Sequence, residues 1–155
     1  PKTAGMEESV HLADWPEEKK EYLDEALEKK WEKHLALRGV ITKALENART
    51  AKEIGHSLDA DVTVYADGDD YEDLASMEAF LADFCIVSTV TLVEGTDKAP
   101  ETAQRSEDGK MAVSVAPSTR EKCERCWKHD PTVGSDPAHP HICARCARVL
   151  TNMGE

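Results

Sequence analysis

Four of the five cysteines in this 155-residue sequence form two short pairs in the segment EKCERCWKHDPTVGSDPAHPHICARCARVL, residues 121–150. The pairs are Cys123 with Cys126 and Cys143 with Cys146, which gives the spacing C-x2-C-x16-C-x2-C. Two residues between cysteines allow a tight turn that directs both sulfurs at one ion, and a second turn completes a tetrahedron. The spacing predicts one structural zinc ion with no open catalytic position. Disulfides or an iron–sulfur cluster are the alternatives.

Three histidines, His129, His139 and His141, lie in or beside the loop between the two pairs. Imidazole binds zinc, so one of them could replace a cysteine, but four soft thiolates already suffice. We therefore expect the histidines to be exposed loop residues. A tail of about 35 residues buries too little surface to fold unaided, so the metal must supply folding free energy.

An aromatic residue surrounded by basic residues adds a second chemical feature to the cysteine pairs. Trp127 directly follows the second cysteine. Aromatic and guanidinium groups on a rigid turn stack on unpaired bases and hold phosphates, although Trp127 could instead form the small core of the turn. The candidate nucleic-acid contacts are Arg125, Trp127, Lys128, Arg145 and Arg148.

The distribution of charge restricts where nucleic acid could bind. The net charge is −12, of which residues 1–119 carry −13 and residues 120–155 carry +1. An acidic surface repels phosphate, so only the tail permits such binding. No apolar run approaches the roughly 18 residues of a membrane span, and we see no secretory signal. We expect a cytoplasmic location, where paired cysteines bind metal more often than they form disulfides.

The first third of the sequence predicts a helical segment, residues 17–58, after a linker, residues 1–16. Asp14 is the predicted N-cap, with Pro16 in the first turn. Apolar residues then recur at helical spacing, at Leu23, Leu27, Trp31, Leu35, Ile41, Leu45 and Ala48.

Two glycines bear on the extent of this helical segment. Gly39 lies within the apolar pattern and leaves open one long helix or two helices. Gly55 is the predicted terminator after the last helical turn.

The pattern changes in residues 59–117, which we predict to form a small layer of short strands with one helix. The predicted strands are 61–65, 84–95 and 111–116, with a helix over 70–83 and a surface loop over 96–110. Cys85 is expected to be a small core residue. The fold class is α+β: a long helix or helix pair, this mixed α/β layer, and a four-cysteine zinc knuckle or ribbon in residues 118–155.

Several blocks of the sequence, in this order, resemble the C-terminal end of bacterial isoleucyl-tRNA synthetases. EKCERCWKH with HICARC is similar to that family's zinc finger, and ESVHLADWPE (8–17) resembles the end of its helical anticodon-binding domain. The segments WEKHLALRGVITKALENARTAKEIGHSLDADVTVY (31–65) and FCIVSTVTLVEG (84–95) resemble the blocks between them.

The resemblance implies a non-catalytic, tRNA-binding fragment of isoleucine–tRNA ligase that helps hold the anticodon arm of isoleucine tRNA. It carries over the four cysteines as zinc ligands and the five candidate residues as tRNA contacts. ATP would serve only the full-length parent, because we find no HIGH-like or KMSKS-like segment and expect no catalytic residue here. The implied partners are isoleucine tRNA and the rest of the synthetase, with the chain a monomer. Arg38 and Arg49 fall on the family motif, and we expect Arg49 to form a helix-face ion pair.

Two other functions fit parts of the sequence. One is a zinc-stabilised protein-interaction or intramolecular docking module without RNA contact. The other is a DNA-glycosylase-type zinc finger, which has similar spacing and belongs to enzymes with an N-terminal proline nucleophile. Lys2 stands where those enzymes have glutamate, and the acidic body is unsuited to duplex DNA.

Overall fold

The computed structural model describes residue 5 and residues 7–154. Pro1 and Lys2, on which the DNA-glycosylase alternative depends, lie outside the described residues, as does part of the predicted linker. The helices and strands are α1 (Glu25–Thr50), β1 (Ala60–Ala66), α2 (Gly68–Ala75), α3 (Glu78–Cys85), β2 (Thr89–Glu94), β3 (Gln104–Arg105), β4 (Met111–Pro117) and α4 (Ala144–Met153). None of these helices is both long enough and apolar enough to cross a membrane.

A four-stranded mixed sheet organises the middle of the chain, in the order β2-β1-β4-β3. β1 runs parallel to β2 and antiparallel to β4, and α2 and α3 form the crossover that a parallel pair requires. Val62 and Val64 of β1 are buried, as are Ile41 of α1, Leu74 of α2 and Leu81 of α3. The sheet and three helices therefore share one core, and the predicted α+β class is confirmed.

The predicted start of the first helix at Asp14 is wrong, because α1 begins at Glu25. Asp24 is its N-cap, and Oδ1 accepts hydrogen bonds from the backbone N–H groups of Ala26 (3.1 Å) and Leu27 (2.9 Å). The stretch after Asp14 is exposed and has little to pack against. A capping sequence without tertiary packing does not sustain a helix.

The predicted apolar stripe of α1 is buried only in its second half. Ile41, Leu45 and Ala48 are in the core, whereas the earlier members of the stripe are each more than a third exposed: Leu23, Leu27, Trp31 and Leu35. Burial on α1 begins at His34. The helix is continuous through Gly39, so the one-helix alternative is correct.

The predicted helix stop at Gly55 is also wrong. α1 ends at Thr50, and Lys52 adopts the left-handed conformation, with φ of 61°. The Lys52 N–H donates to the Arg49 carbonyl and the Glu53 N–H to the Ala48 carbonyl, both at 3.0 Å. This pair of bonds closes a helix end and is usually built on glycine.

The region from 70 to 95 differs from its prediction in two places. The single helix predicted over 70–83 is two helices, α2 and α3. The strand predicted over 84–95 is only β2, because residues 84–85 end α3 and Ile86 turns the chain with φ of 56°. A short apolar run does not distinguish a helix end from a strand by periodicity. The strands predicted at 61–65 and 111–116 are confirmed, and the loop over 96–110 also contains β3.

Three side chains from the sequence analysis have clear structural roles in this layer. Cys85 is buried as expected, although it ends a helix, and burial raises the pKa of its thiol to about 11. Arg49 does not form the expected ion pair among the described residues; its Nη2 donates to the Ser57 hydroxyl at 3.0 Å. Arg38 donates from Nε to the Phe84 carbonyl at 2.7 Å.

Candidate metal centre

The four paired cysteines converge on one point. Their sulfurs all lie within 4.8 Å of one another, and those of Cys126 and Cys143 are 3.9 Å apart. A tetrahedron with Zn–S bonds near 2.3 Å has edges of about 3.8 Å, so the set fits zinc. All four are free thiols, so the disulfide alternative does not hold. Cys123, Cys143 and Cys146 are at most 2% exposed, which makes this a closed structural site rather than a catalytic one.

Two different backbone structures present the two pairs. The first pair lies on a turn in which Trp127 N–H donates to the Cys123 carbonyl (2.8 Å) and Cys123 N–H to the Lys128 carbonyl (2.9 Å). In the second pair, Cys143 is the N-cap residue of α4, and Cys146 lies in its first turn. A helix N-terminus stabilises thiolates, because its N–H groups carry partial positive charge.

The thiols differ in how readily they ionise. Burial raises the pKa of Cys123, but backbone N–H groups of Cys126, Cys143 and Arg125 outweigh it and bring the value to about 6. The N–H of Cys143 lies 3.3 Å from the Cys123 sulfur. Burial raises the pKa of Cys126, and raises that of Cys143 to about 12. Ionising Cys126 and Cys143 therefore costs more than ionising Cys123, and a bound divalent cation would offset that cost.

The histidines are outside the cysteine cluster, and two of them are less exposed than predicted. His141 is exposed as expected, and His139 is half-buried. The expectation for His129 is wrong: its side chain is 16% exposed, and Nδ1 lies 2.6 Å from the Arg120 carbonyl. Its backbone N–H also donates to the Ser88 hydroxyl at 2.6 Å. His129 is enclosed because this part of the zinc module, residues 118–155, packs against the end of the sheet.

Trp127 points outward. It is 61% exposed, so it does not form a core beneath the turn. Its backbone has φ of 64°, in the left-handed region that disfavours large side chains. The ring borders a shallow depression that is also lined by Lys122, Cys123 and Glu124.

The four basic candidates have different surroundings. Lys128 forms an ion pair with Asp83 of α3. Arg125 Nη1 lies 3.9 Å from the Cys146 sulfur. The pKa of the Arg145 guanidinium is raised, chiefly by the nearby sulfur of Cys126. Arg148 is exposed and has no polar partner among the described residues.

Sequence reasoning missed the contacts that attach the cysteine module to the sheet. Arg120 pairs with Asp61 and also hydrogen-bonds Thr89, and Lys122 Nζ lies 2.8 Å from Asp59 Oδ1. The sequence feature that could have indicated these contacts is charge. An acidic body adjoins a tail that carries most of its basic residues beside the cysteines. Complementary charge of this kind indicates docking as readily as nucleic-acid binding.

Comparisons with known families find one match at each end of the chain. Residues 120–149 match the family described as "Zinc finger found in FPG and IleRS". Residues 1–64 match the family described as "Anticodon-binding domain of tRNA ligase". The first description covers two kinds of protein, so the finger alone does not discriminate between them.

Similarity to curated proteins extends over nearly the whole chain. An isoleucine–tRNA ligase of Caldanaerobacter subterraneus subsp. tengcongensis is 49% identical over 140 residues, which is 90% of this chain and 15% of that protein. Those of Moorella thermoacetica and Kosmotoga olearia are 42% and 39% identical over 94% and 99% of the chain, and 16% of each protein. The chain thus spans about a sixth of the length of these relatives. With the anticodon-binding match before the sheet and the four-cysteine zinc site after it, the chain belongs to the isoleucine–tRNA ligase family as a C-terminal region.

Proposed function

We propose that this chain is a non-catalytic, tRNA-binding region of isoleucine–tRNA ligase whose zinc module helps hold the anticodon arm of isoleucine tRNA. The match of residues 1–64 to an anticodon-binding domain supports tRNA as the partner. The ATP-dependent charging reaction would belong to the rest of the enzyme, with which this region forms one protein. We also propose that the chain is monomeric and acts in the cytoplasm.

The observation that carries the proposal is the position of Trp127. A left-handed backbone costs a non-glycine residue roughly 1–2 kcal/mol, and an exposed ring recovers little of this through packing. Such strain is found where function requires a particular side chain. Unpaired bases in an anticodon loop stack on exposed aromatic rings, and that contact would use the ring as it is presented.

The basic residues would contribute unequally to RNA binding. Arg148 is exposed and unpartnered among the described residues, so its guanidinium is available for a phosphate. Lys128 is engaged with Asp83, Arg125 Nη1 lies 3.9 Å from the Cys146 sulfur, and the guanidinium of Arg145 is influenced by the nearby cysteine sulfurs. We therefore assign the primary contacts to Trp127 and Arg148. The acidic residues before position 120 form the scaffold rather than the RNA surface.

The experiment is a deletion of residues 118–155 in the full-length ligase. Isoleucine activation, followed by pyrophosphate exchange, should persist, while charging of isoleucine tRNA should be lost. This outcome is expected because activation involves no tRNA. Equal loss of both activities would contradict the proposal and favour a purely structural role.

A second candidate function is an intramolecular docking module without RNA contact. The observation that favours it is the set of polar contacts between the module and the sheet region: Arg120–Asp61, Lys122–Asp59, Lys128–Asp83 and His129–Ser88. Docking and RNA binding are compatible, because Trp127 and Arg148 are outside this set. Replacing Trp127 alone distinguishes them, since a docking module would tolerate the change.

A further inference from the structure

The first cysteine pair lies within a short hairpin, residues 122–129, which we call the cysteine hairpin. Lys122 and His129 form an antiparallel bridge at its base. The Cys123 N–H donates to the Lys128 carbonyl at 2.9 Å, so the pairing of the two legs reaches the first metal ligand. The placement of both sulfurs of this pair therefore depends on how the base of the hairpin is held.

A buried hydroxyl of the sheet region holds the base of the cysteine hairpin. Ser88, which immediately precedes β2, is 8% exposed. Its hydroxyl accepts a hydrogen bond from the His129 N–H at 2.6 Å and donates one to the Leu58 carbonyl at 2.5 Å. The His129 ring contacts the Arg120 carbonyl through Nδ1 at 2.6 Å, and Nδ1 must carry the proton because a carbonyl only accepts. Ser88 is thus connected to the segments on both sides of the hairpin.

The hydroxyl of Ser88 should matter more than the charged contacts beside it. Lys122 Nζ lies 2.8 Å from Asp59 Oδ1, but both side chains are more than a quarter exposed, so this ion pair contributes little. Loss of the Ser88 hydroxyl would instead leave the His129 N–H without its partner in a partly buried contact. An enclosed donor without a partner costs more than a lost exposed ion pair.

We propose that Ser88 is a positioning residue of the zinc site, which anchors the cysteine hairpin and thereby places Cys123 and Cys126 for the ion. A hairpin that is already ordered loses less conformational entropy when it binds zinc, so its affinity is higher. Such linkage is reciprocal, so bound zinc also stabilises the docked hairpin. The hydrogen bonds through Ser88 carry this inference, and it does not depend on tRNA binding.

The test measures the zinc affinity of the 155-residue chain by competition with a chromophoric chelator at constant pH. Ser88→Ala should lower the affinity about 5-fold, because the cysteine hairpin is then less ordered before zinc binds. Ser106→Ala is the matched control: this hydroxyl also accepts from the backbone of the sheet region, the Met111 N–H at 3.0 Å, but it does not contact the zinc module. Its affinity should stay within about twofold.

A conservative variant separates the hydrogen bond from a general loss of stability. Ser88→Thr keeps the hydroxyl and should recover most of the affinity that Ser88→Ala loses, and absence of that recovery would overturn the role of the hydroxyl. An affinity of Ser88→Ala within about twofold of the unaltered chain, or an equal loss in Ser106→Ala, would overturn the proposal as a whole.

A second measurement uses the unaltered chain and therefore does not depend on a variant that folds. Removal of zinc should accelerate amide hydrogen exchange at His129 about fivefold or more, while exchange in β1 and β4 stays unchanged. This outcome is expected because the docked hairpin and the ion stabilise each other. Unchanged exchange at His129 after zinc removal would show that docking and metal binding are independent, and would overturn the linkage.

Discussion

Trp127 combines two properties that oppose folding: its ring is exposed, and its backbone is left-handed. Glycine adopts this conformation without steric cost. Trp127→Gly should therefore raise the free energy of unfolding of the zinc-bound chain by about 0.5–1 kcal/mol, after allowing for the greater freedom of glycine in the unfolded state. Denaturant unfolding measures this change.

Trp127→Gly should also impair tRNA charging in the full-length ligase, because it removes the aromatic ring on which a base would stack. A lost base–aromatic contact is worth about 1–3 kcal/mol, or roughly 5-fold to 150-fold in tRNA affinity. Trp127→Ala is the matched control: it removes the ring but keeps a Cβ, so it should lose tRNA affinity without gaining stability. Unchanged tRNA affinity in both variants would count against the proposed contact.

The cysteines and the loop histidines should respond differently to substitution. Cys143→Ser removes one of four ligands from a closed site, so the chain should lose its single zinc ion and the module should unfold. His141 is exposed and lies outside the cluster, so His141→Ala should retain one zinc ion per chain. Metal analysis after gel filtration measures both. Full zinc retention after replacement of all four cysteines would refute the assignment.

The helix α1 shows what local sequence determines and what packing decides. Helical spacing in residues 25–50 is strong enough to be recognised without a structure. The start of the helix cannot be recognised in this way, because Asp14 and Asp24 both precede acidic residues that suit a first turn. The end of the helix cannot be recognised either, because Lys52 adopts the conformation that favours glycine, while Gly55 lies three positions later. Tertiary packing, which buries α1 side chains from His34 onward, chooses among these local alternatives.

The two aspartates give a direct test of where α1 begins. Asp24→Ala removes the cap and should destabilise the first turn by about 1 kcal/mol, which accelerates amide exchange there about fivefold. Asp14→Ala should leave exchange in α1 unchanged, because Asp14 caps no helix. Amide hydrogen exchange, measured by NMR, distinguishes the two variants. Faster exchange in the Asp14 variant instead would place the helix start where the sequence first suggested.

The end of the sheet makes a pH-dependent contact with the zinc module through Asp61. Burial raises the pKa of Asp61, but hydrogen bonds from Thr89, Arg120 and Ser118 outweigh it, so the pKa is lower than in the unfolded chain. A lowered pKa means that Asp61 stabilises the fold above the unfolded-state pKa, about 3.9, and that this contribution is lost as pH falls below it. The contribution should be about 0.5–1 kcal/mol, because the side chain is partly exposed.

The measurement compares the unaltered chain with Asp61→Asn by denaturant unfolding from pH 7 to pH 3. The stability difference between the two should be largest at neutral pH and should shrink as pH falls below about 4. Protonation of the cysteines affects both chains and cancels in the difference. A difference that is constant across this range would show that Asp61 does not act through its charge.

At the scale of the whole molecule, the metal site was predictable and its attachment was not. Two cysteine pairs impose short-range geometry that leaves few alternatives, so their spacing identifies all four ligands. Contacts such as Arg120–Asp61 join residues 59 positions apart, and nothing local selects one aspartate among many in an acidic chain. The enclosed position of His129 follows from the same docking. A single sequence does not show which residues far apart in the chain pair with each other.

The exposed first half of α1 leads to a prediction about the complete enzyme. Leu27 and Leu35 are at least half exposed, and this chain is only about a sixth of the length of its relatives. We expect the rest of the ligase to cover these side chains. Leu27→Ser should change the stability of this chain by less than about 0.5 kcal/mol, but should cost about 2 kcal/mol or more in the full-length ligase. Thermal unfolding of both forms, with Glu28→Ser as the control, measures the contrast.

The attachment of the zinc module has a consequence for the order of folding during synthesis. The carboxylates and hydroxyl that receive it belong to residues 59–88, all of which leave the ribosome before the first cysteine pair does. The sheet is complete once β4 has emerged, so a nascent chain can present a finished docking surface while the cysteines are still unpaired. Zinc capture then becomes a late maturation step, and metal shortage should leave a folded sheet with a loose tail rather than an unfolded chain.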